Sequence, residues 1–228
     1  MLRLFIGHDP REEVGTWTFC SSVIQHASRP VSITPLHKPA VERMFGGHIP
    51  EGTNAFTVSR FLIPAMCDYM GVAVFADGAD MVCRSDITKL LKEFDDTLAV
   101  KVVKHSYKTC NKIKYVGTDM ECPNPDYDRK NWASLMLINC SHPAWRQCAP
   151  GNIGRWTTLE LLQFKFMEDD EIGSLSAEWN WLCDEFGDND DAKICHWTAG
   201  VAAFPHYRNT PMADVWFEAH KRANYATD

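Results

Sequence analysis

The chain has 228 residues, of which 45% are hydrophobic and 23% charged, proportions that exclude wholesale disorder and a fibrous chain and suit one domain with a sizeable core. Lys and Arg total 23 against 30 Asp and Glu, a net charge of −7. That balance argues against a general nucleic-acid or anionic-membrane binder, so an anionic substrate would need a local basic patch or a metal.

The longest apolar runs, Val72 to Ala76 and Ala133 to Ile138 with Ser134 inside it, fall far short of the roughly 20 residues that span a bilayer. Met1-Leu2-Arg3-Leu4-Phe5-Ile6 lacks the apolar length and cleavage pattern of a signal peptide. The nine cysteines are scattered and never spaced Cys-x-x-Cys, which fits reduced thiols better than disulfides or a zinc site. The expectation is a cytoplasmic chain with no membrane span and no nucleic-acid partner.

In chain order, Leu2 to Ile6 reads as a strand closed by Gly7, and Arg11 to His26 as a polar helix entered through Pro10. Val31 to Leu36 reads as a second strand, Ala40 to Phe45 as a short helix, and Gly46 to Asn54 as a Gly/Pro-rich loop. Apolar residues on helical spacing predict a helix over Phe56 to Met70, kinked or interrupted at Pro64 and ended by Gly71. Gly71 to Ala76 is a continuous apolar run, the pattern of a central strand buried on both faces. A helix over Asp86 to Phe94 with Ser85 as N-cap, a strand over Leu98 to Val103, a long polar loop and a strand over Ser134 to Asn139 follow. Helices are expected at Thr157 to Met167 and Met212 to Ala223, with a strand at Lys193 to Trp197. Alternating strands and helices predict an α/β fold with an open, mostly parallel central sheet flanked by helices.

The central strand ends in Asp77-Gly78-Ala79-Asp80. Two carboxylates therefore sit where open α/β sheets bind ligands, and they could hold Mg²⁺ or Mn²⁺ against a diphosphate. Asp and Gly are also the commonest turn formers, so the same residues could merely shape a turn. Far downstream, His196 ends another short strand before Trp197-Thr198-Ala199-Gly200. It is either a third metal ligand or a hydrogen-bonded edge histidine.

Taken with Phe5-Ile6-Gly7-His8-Asp9, Ser59-Arg60-Phe61-Leu62-Ile63-Pro64, Phe75 to Met81, Leu135 to Asn139, Glu178-Trp179-Asn180 and His196 to Gly200, the sequence resembles the family 8 glycosyltransferases, glycogenin-like retaining transferases of GT-A fold. The resemblance covers roughly Leu2 to Gly200, and within the family it looks closest to a microbial branch that shares the opening motif and Ala27-Ser28-Arg29-Pro30-Val31-Ser32. It implies one Rossmann-type domain over residues 1–228, with a nucleotide-binding part at about 1–105 and an acceptor-side, metal-closing part at about 106–228. It further implies retaining transfer of a sugar from a nucleotide-diphosphate donor, usually a UDP-sugar, to a carbohydrate, protein or lipid-linked acceptor. Asp77, Asp80 and His196 would hold Mn²⁺ or Mg²⁺. His8 and Asp9 would receive base and ribose, Arg60 would reach the diphosphate or sugar, and Ser59, Asp77 and Gly200 would line the donor site.

The sequence departs from the family pattern at several points. Asp-x-Asp is widened to Asp77-Gly78-Ala79-Asp80, where Gly78 would have to turn the chain. Asn-Ala-Gly before the Leu135 strand is replaced by Trp132-Ala133-Ser134 with Asn131 one place early, and Asp-Gln-Asp by Thr158-Leu159-Glu160. By this correspondence Asn131 and Glu160 would handle the transferred sugar and carry catalysis. Lys-Pro-Trp after the histidine loop is missing, leaving His206 or Arg208 for the diphosphate. A nucleotide-sugar binder without turnover and an aspartate-dependent phosphohydrolase are the rival readings. The hydrolases read Asp-x-Asp-x-Thr near the N-terminus, which does not match.

Residues 101–115 carry five lysines and no acid. They could steer an anionic acceptor or help bind the donor, although such runs are more often solvated loops. The acidic clusters at 168–171 and 184–191 read as surface, and the eight tryptophans as core or as stacking platforms.

Overall fold

The computed structural model describes residues 1–224. Its regular elements are β1 (Leu2–Gly7), α1 (Glu13–His26), β2 (Val31–Leu36), α2 (Lys38–Phe45), α3 (Ile63–Met66), β3 (Val72–Ala76), β4 (Met81–Cys83), β5 (Val100–Val102), β6 (Ile113–Lys114), β7 (Cys122–Pro123), β8 (Leu135–Asn139), α4 (Thr158–Leu162), β9 (Ile172–Ser174), β10 (Trp181–Leu182), α5 (Cys183–Phe186), β11 (Ile194–His196) and α6 (Ala213–Asn224), joined by several 3₁₀ turns.

Six strands form the central sheet in the order β2-β1-β3-β8-β5-β9. β1 runs parallel to β2 and β3, and β5 parallel to β9; β8 is antiparallel to β3 and β5. The sheet is therefore mostly parallel, with β8 reversed inside it. β2 lies at an edge, which explains how a strand tolerates Pro35. β3 is central, and its continuous apolar run is buried on both faces. Ala73 and Phe75 pack in one cluster with Phe61, Trp145 and Phe164, while Val74 and Ala76 pack in the other with Phe19, Val23 and Ile194. A third cluster joins Val82, Cys195 and Trp197 to Trp216 of α6.

Several helices are shorter or tighter than the apolar spacing predicts. Phe56 to Met70 is not one helix: Ser59–Leu62 winds as 3₁₀ and only Ile63–Met66 is α-helical. Pro64 sits in the first turn of that segment, where its missing N–H costs nothing, so it opens α3 instead of kinking a longer helix. Ile87–Glu93 is also 3₁₀, and its cap is Asp86, not Ser85; the Asp86 carboxylate accepts from Thr88 N at 3.0 Å. α4 stops at Leu162 because Gln163 closes its last turn and Phe164 takes φ +55°. Strands β4, β6, β7, β9 and β10 have no counterpart in the sequence reading; they are two or three residues long, too short for a periodic signal.

The site is positioned by the turn between β3 and β4. Gly78 adopts φ +77°, the left-handed region that glycine enters without steric cost. Helix α1 presses on this turn through Gly15, where an added Cβ would stand 1.7 Å from the Ala79 carbonyl oxygen. β4 then pairs antiparallel with β11, placing Met81 opposite His196.

Gly15→Ala should therefore reverse the usual sign of such a change. In an open helix the substitution gains roughly 1 kcal/mol, whereas here overpacking should cost about 1 to 3 kcal/mol. A urea titration would reveal it, and an unchanged or raised midpoint would contradict the close approach.

Candidate functional site

Beyond the carboxyl ends of β1 and β3 lies an open cleft of about 560 Å³, counting space continuous with solvent. Asp77, Asp80 and His196 form its floor, and each offers a ligand atom within 4.8 Å of the others. The Gly78 turn brings Asp80 back beside Asp77 despite the widened spacing, and the β4–β11 pairing delivers the imidazole.

The protons around His196 are set by a chain of hydrogen bonds. Ser134 Oγ donates to Asn131 O (2.7 Å), so it accepts from Asn180 Nδ2 (2.8 Å). Asn180 Oδ1 is then left to accept from His196 Nδ1–H at 2.9 Å. This assigns the Nε2 lone pair of the neutral ring to the cleft, 3.3 Å from Asp80 Oδ2. A lone pair and a carboxylate repel at that distance unless a proton or a cation lies between them. Burial works to lower the His196 pKa, but Asp80 and then Asp77 outweigh it and raise it. For Asp80, burial works upward, yet the facing imidazole holds it below the usual carboxylate range.

Asp77 has the opposite balance. Burial pushes it up to about 6, against the pull of Arg60 and with help from Asp80. Arg60 Nη1 lies 2.6 Å from Asp77 Oδ1, but its directed bond goes to Ala133 O at 2.7 Å. The carboxylate oxygen thus feels the charge without receiving a hydrogen bond, and Asp80 Oδ1 is likewise without a donor. Two under-satisfied buried carboxylate oxygens and an imidazole nitrogen fit a hard or borderline divalent cation. Asn180 supplies the outer partner that metal-binding histidines usually have. Asp184 caps the following loop, accepting from Thr198 N (3.0 Å) and Ala199 N (2.6 Å).

Arg60 is 5% exposed. Its guanidinium is packed 4.7 Å from the Phe75 ring centre and 5.3 Å from that of Phe56, while Nε donates to Thr57 O. It lines the cleft as an anchored charge instead of an extended arm. Asn131 also lines the cleft, with φ +62° and its Nδ2 donating to Tyr107 Oη at 2.7 Å.

Other expected residues stand back from the floor. Both Asp9 oxygens are engaged by Arg11 and Ala55: Oδ1 accepts from Arg11 N and Nε, Oδ2 from Arg11 Nη2 and Ala55 N. His8 packs near Trp17 and His37, about 6 Å from each ring. Ser59 is fully buried with an unpartnered Oγ. At Gly200 the absence of a side chain admits the Tyr207 ring, 2.4 Å from where a Cβ would stand. Glu160 is not brought to the cleft. Its carboxylate turns back to Thr157 N and Oγ, both at 2.8 Å, completing a capping box at the start of α4. In this structure the local demand of a helix end takes the Glu160 side chain that the motif correspondence assigned to catalysis.

The sequence reading assigned no role to Glu12, Asn54 or Tyr115 and took Lys114 only as one of a lysine run. Glu12 is buried, and burial, followed by Asp80 and Asp9, pushes it well above the usual carboxylate range. It accepts from Asn54 Nδ2 at 2.7 Å, and Asn54 in turn meets Tyr115 Oη. Lys114 had a signal, the lysine run, but only the pairing of β6 with β7 turns it toward the cleft instead of solvent.

No family model matches the chain. Among solved structures, the WbbM bifunctional glycosyltransferase superposes with a TM-score of 0.68 at 16% identity, over 96% of this chain and 49% of that one. The glycosyltransferase GlyE of Streptococcus pneumoniae TIGR4 gives 0.62 at 14%, over 96% and 61%. The galactosyltransferase LgtC, solved with donor and acceptor sugar analogs, gives 0.58 at 11%, over 100% and 98%. This chain thus spans about half of the WbbM chain and nearly all of LgtC. At such identities the likeness is one of fold, the GT-A glycosyltransferase fold. Protein CDI of Arabidopsis thaliana is 33% identical over 232 residues, covering 97% of this chain and 87% of that protein. With that identity across nearly its whole length, the chain belongs to the same family as protein CDI.

Proposed function

We propose that the protein is a metal-dependent, retaining glycosyltransferase that moves a sugar from a UDP-sugar, in the manner of family 8, to an acceptor hydroxyl. The observation that carries this reading is the convergence of Asp77, Asp80 and His196 on the floor of a cleft in a glycosyltransferase fold. LgtC, which shares that fold, was solved with a donor analog.

In this reading Asp77, Asp80 and His196 hold Mn²⁺ or Mg²⁺, and Asn180 keeps the imidazole in the ligating tautomer. The bound cation supplies stabilisation of negative charge on the departing diphosphate. Arg60 and Lys114 add fixed positive charge at the same end of the cleft, taking the place of the missing Lys-Pro-Trp lysine. The Tyr115 and Tyr127 rings line its walls. Asn131 would meet the transferred sugar. With Glu160 turned away, the only carboxylates among the described residues lining the cleft are Asp77 and Asp80. That shortage favours, as a second reading, a nucleotide-sugar binder without turnover.

Titration with UDP and GDP, with and without Mn²⁺, followed by incubation with UDP-glucose or UDP-galactose, separates the two. Metal-dependent UDP binding with UDP release marks the transferase; binding without release marks the binder. Asp77→Asn, Asp80→Asn and His196→Ala should each abolish metal-dependent UDP binding while leaving the circular dichroism spectrum unchanged, and retention in all three would exclude the cation site. Asn180→Ala should weaken cation binding about 10- to 100-fold through the lost orientation of the ring.

Cation affinity should fall between about pH 8 and about pH 5. The raised pKa of Asp77, near 6, and that of His196 make protons competitors for the ligand atoms. Calorimetric titration with Mn²⁺ at several pH values checks the sign, since an affinity that rises on acidification is incompatible with it.

A further inference from the structure

A second cleft, of about 570 Å³ counting space open to solvent, adjoins the first. Tyr127 lines both, and Trp132 of the second lies between Asn131 and Ala133 of the first. Its walls carry Lys104, Arg129 and Lys130 against one acid, Asp128, in a protein whose net charge is −7. The Trp132 ring has Lys104 Nζ 5.5 Å and Arg129 Cζ 5.2 Å from its centre.

The charges here are incompletely answered. Lys104 is exposed and has no carboxylate partner among the described residues. Lys130 is 5% exposed, and its ammonium meets only neutral acceptors, Asn124 Oδ1 at 2.6 Å and Pro125 O at 2.7 Å. Burial pulls its pKa down to about 8. Asp126 and Glu185 act on this ammonium only from beyond ion-pair distance; a buried cation so weakly answered is costly, and an anion entering the cleft would relieve that cost. Arg129 is held in place by Asp169 and Gln163 O, which fixes one wall.

We infer that this second cleft is the acceptor subsite and that it takes a carbohydrate bearing a carboxylate or phosphate, with the sugar against Trp132 and the anion between Lys104 and Lys130. An aromatic face beside cations is the chemistry that recognises a charged sugar: the ring covers its apolar C–H face and the cations answer its charge. Placement beside the Asp77–Asp80–His196 floor is what makes it an acceptor site, a role that rests on the transferase reading above.

The test uses D-glucuronate, glucose 6-phosphate and methyl glucoside, each titrated without nucleotide or divalent cation, with the Trp132 indole proton followed by NMR. The anionic sugars should bind roughly three- to tenfold more tightly than the neutral one, the range expected of one or two partly exposed ion pairs, and the preference should shrink with added salt. A response to glucuronate alone assigns a carboxylate acceptor, and one to glucose 6-phosphate alone a phosphorylated acceptor. Lys104→Glu, at an exposed position, should remove the preference without altering the thermal midpoint; Lys104→Gln should reduce it. Equal affinities for charged and neutral sugars, no shift with either anion at tens of millimolar, or an undiminished preference in Lys104→Glu would overturn the inference. Mn²⁺-dependent UDP binding by the same samples reads the donor site separately, so failure of one assignment is not mistaken for failure of the other.

Discussion

The short antiparallel pairing of β4 with β11 is the constraint on which the site depends. Three residue pairs, Met81 with His196, Val82 with Cys195 and Cys83 with Ile194, join the strand that follows the acidic turn to the strand that ends in the imidazole. The backbone bond from Trp197 N to Asp80 O, 2.9 Å, extends that register to Asp80 itself. Because side chains alternate along a strand, a slip of one residue would send His196 to the opposite face and leave Cys195 or Trp197 toward the carboxylates. The buried cluster of Val82, Cys195 and Trp197 against Trp216 resists such a slip, since each would have to leave an apolar environment.

Electrostatics around the cleft follow from how little water reaches it. Glu12, Asp77, Asp80 and Asp184 are all largely withdrawn from solvent, and burial pushes each of them up; only Asp80, facing the imidazole, ends below the usual range. Acidic groups dominate the floor, while Arg60, Lys114 and the cations of the neighbouring cleft stand on the walls. Such a separation lets a protein of net negative charge present a positive face to an anion locally.

The sequence made the sheet legible where runs were long and apolar. β1, β2, β3 and β8 lie within a residue or so of the periodic pattern, because both faces of the sheet are covered and strand identity is written in continuous hydrophobicity. Helices were less legible. Phe56 to Met70 has helical spacing, but Pro64 and the packing of Phe61 on Phe164 and Phe166 divide it. At the site, Asp77 and Asp80 lie in the turn after a readable strand and His196 ends another, and the family resemblance is what joined the three. The partners of Asn180 and Glu12 could not be read, since they lie across long stretches of chain, and Lys114 stood out only as one of a lysine run. Glu160 shows the converse: a correspondence of motifs pointed to chemistry, while Thr157, three residues before it, claimed the carboxylate for a helix start.

The distance along the chain between Asp80 and His196 also has a temporal meaning. More than a hundred residues separate the acidic turn from the imidazole, so a ribosome-bound chain that has completed β1 to β4 has both carboxylates of the cleft floor but not the imidazole that faces them. Contacts of such separation form slowly and late relative to local ones. Completion of the cleft floor therefore belongs to the final stages of synthesis and folding, and truncated products would carry its acidic half without the nitrogen that faces it.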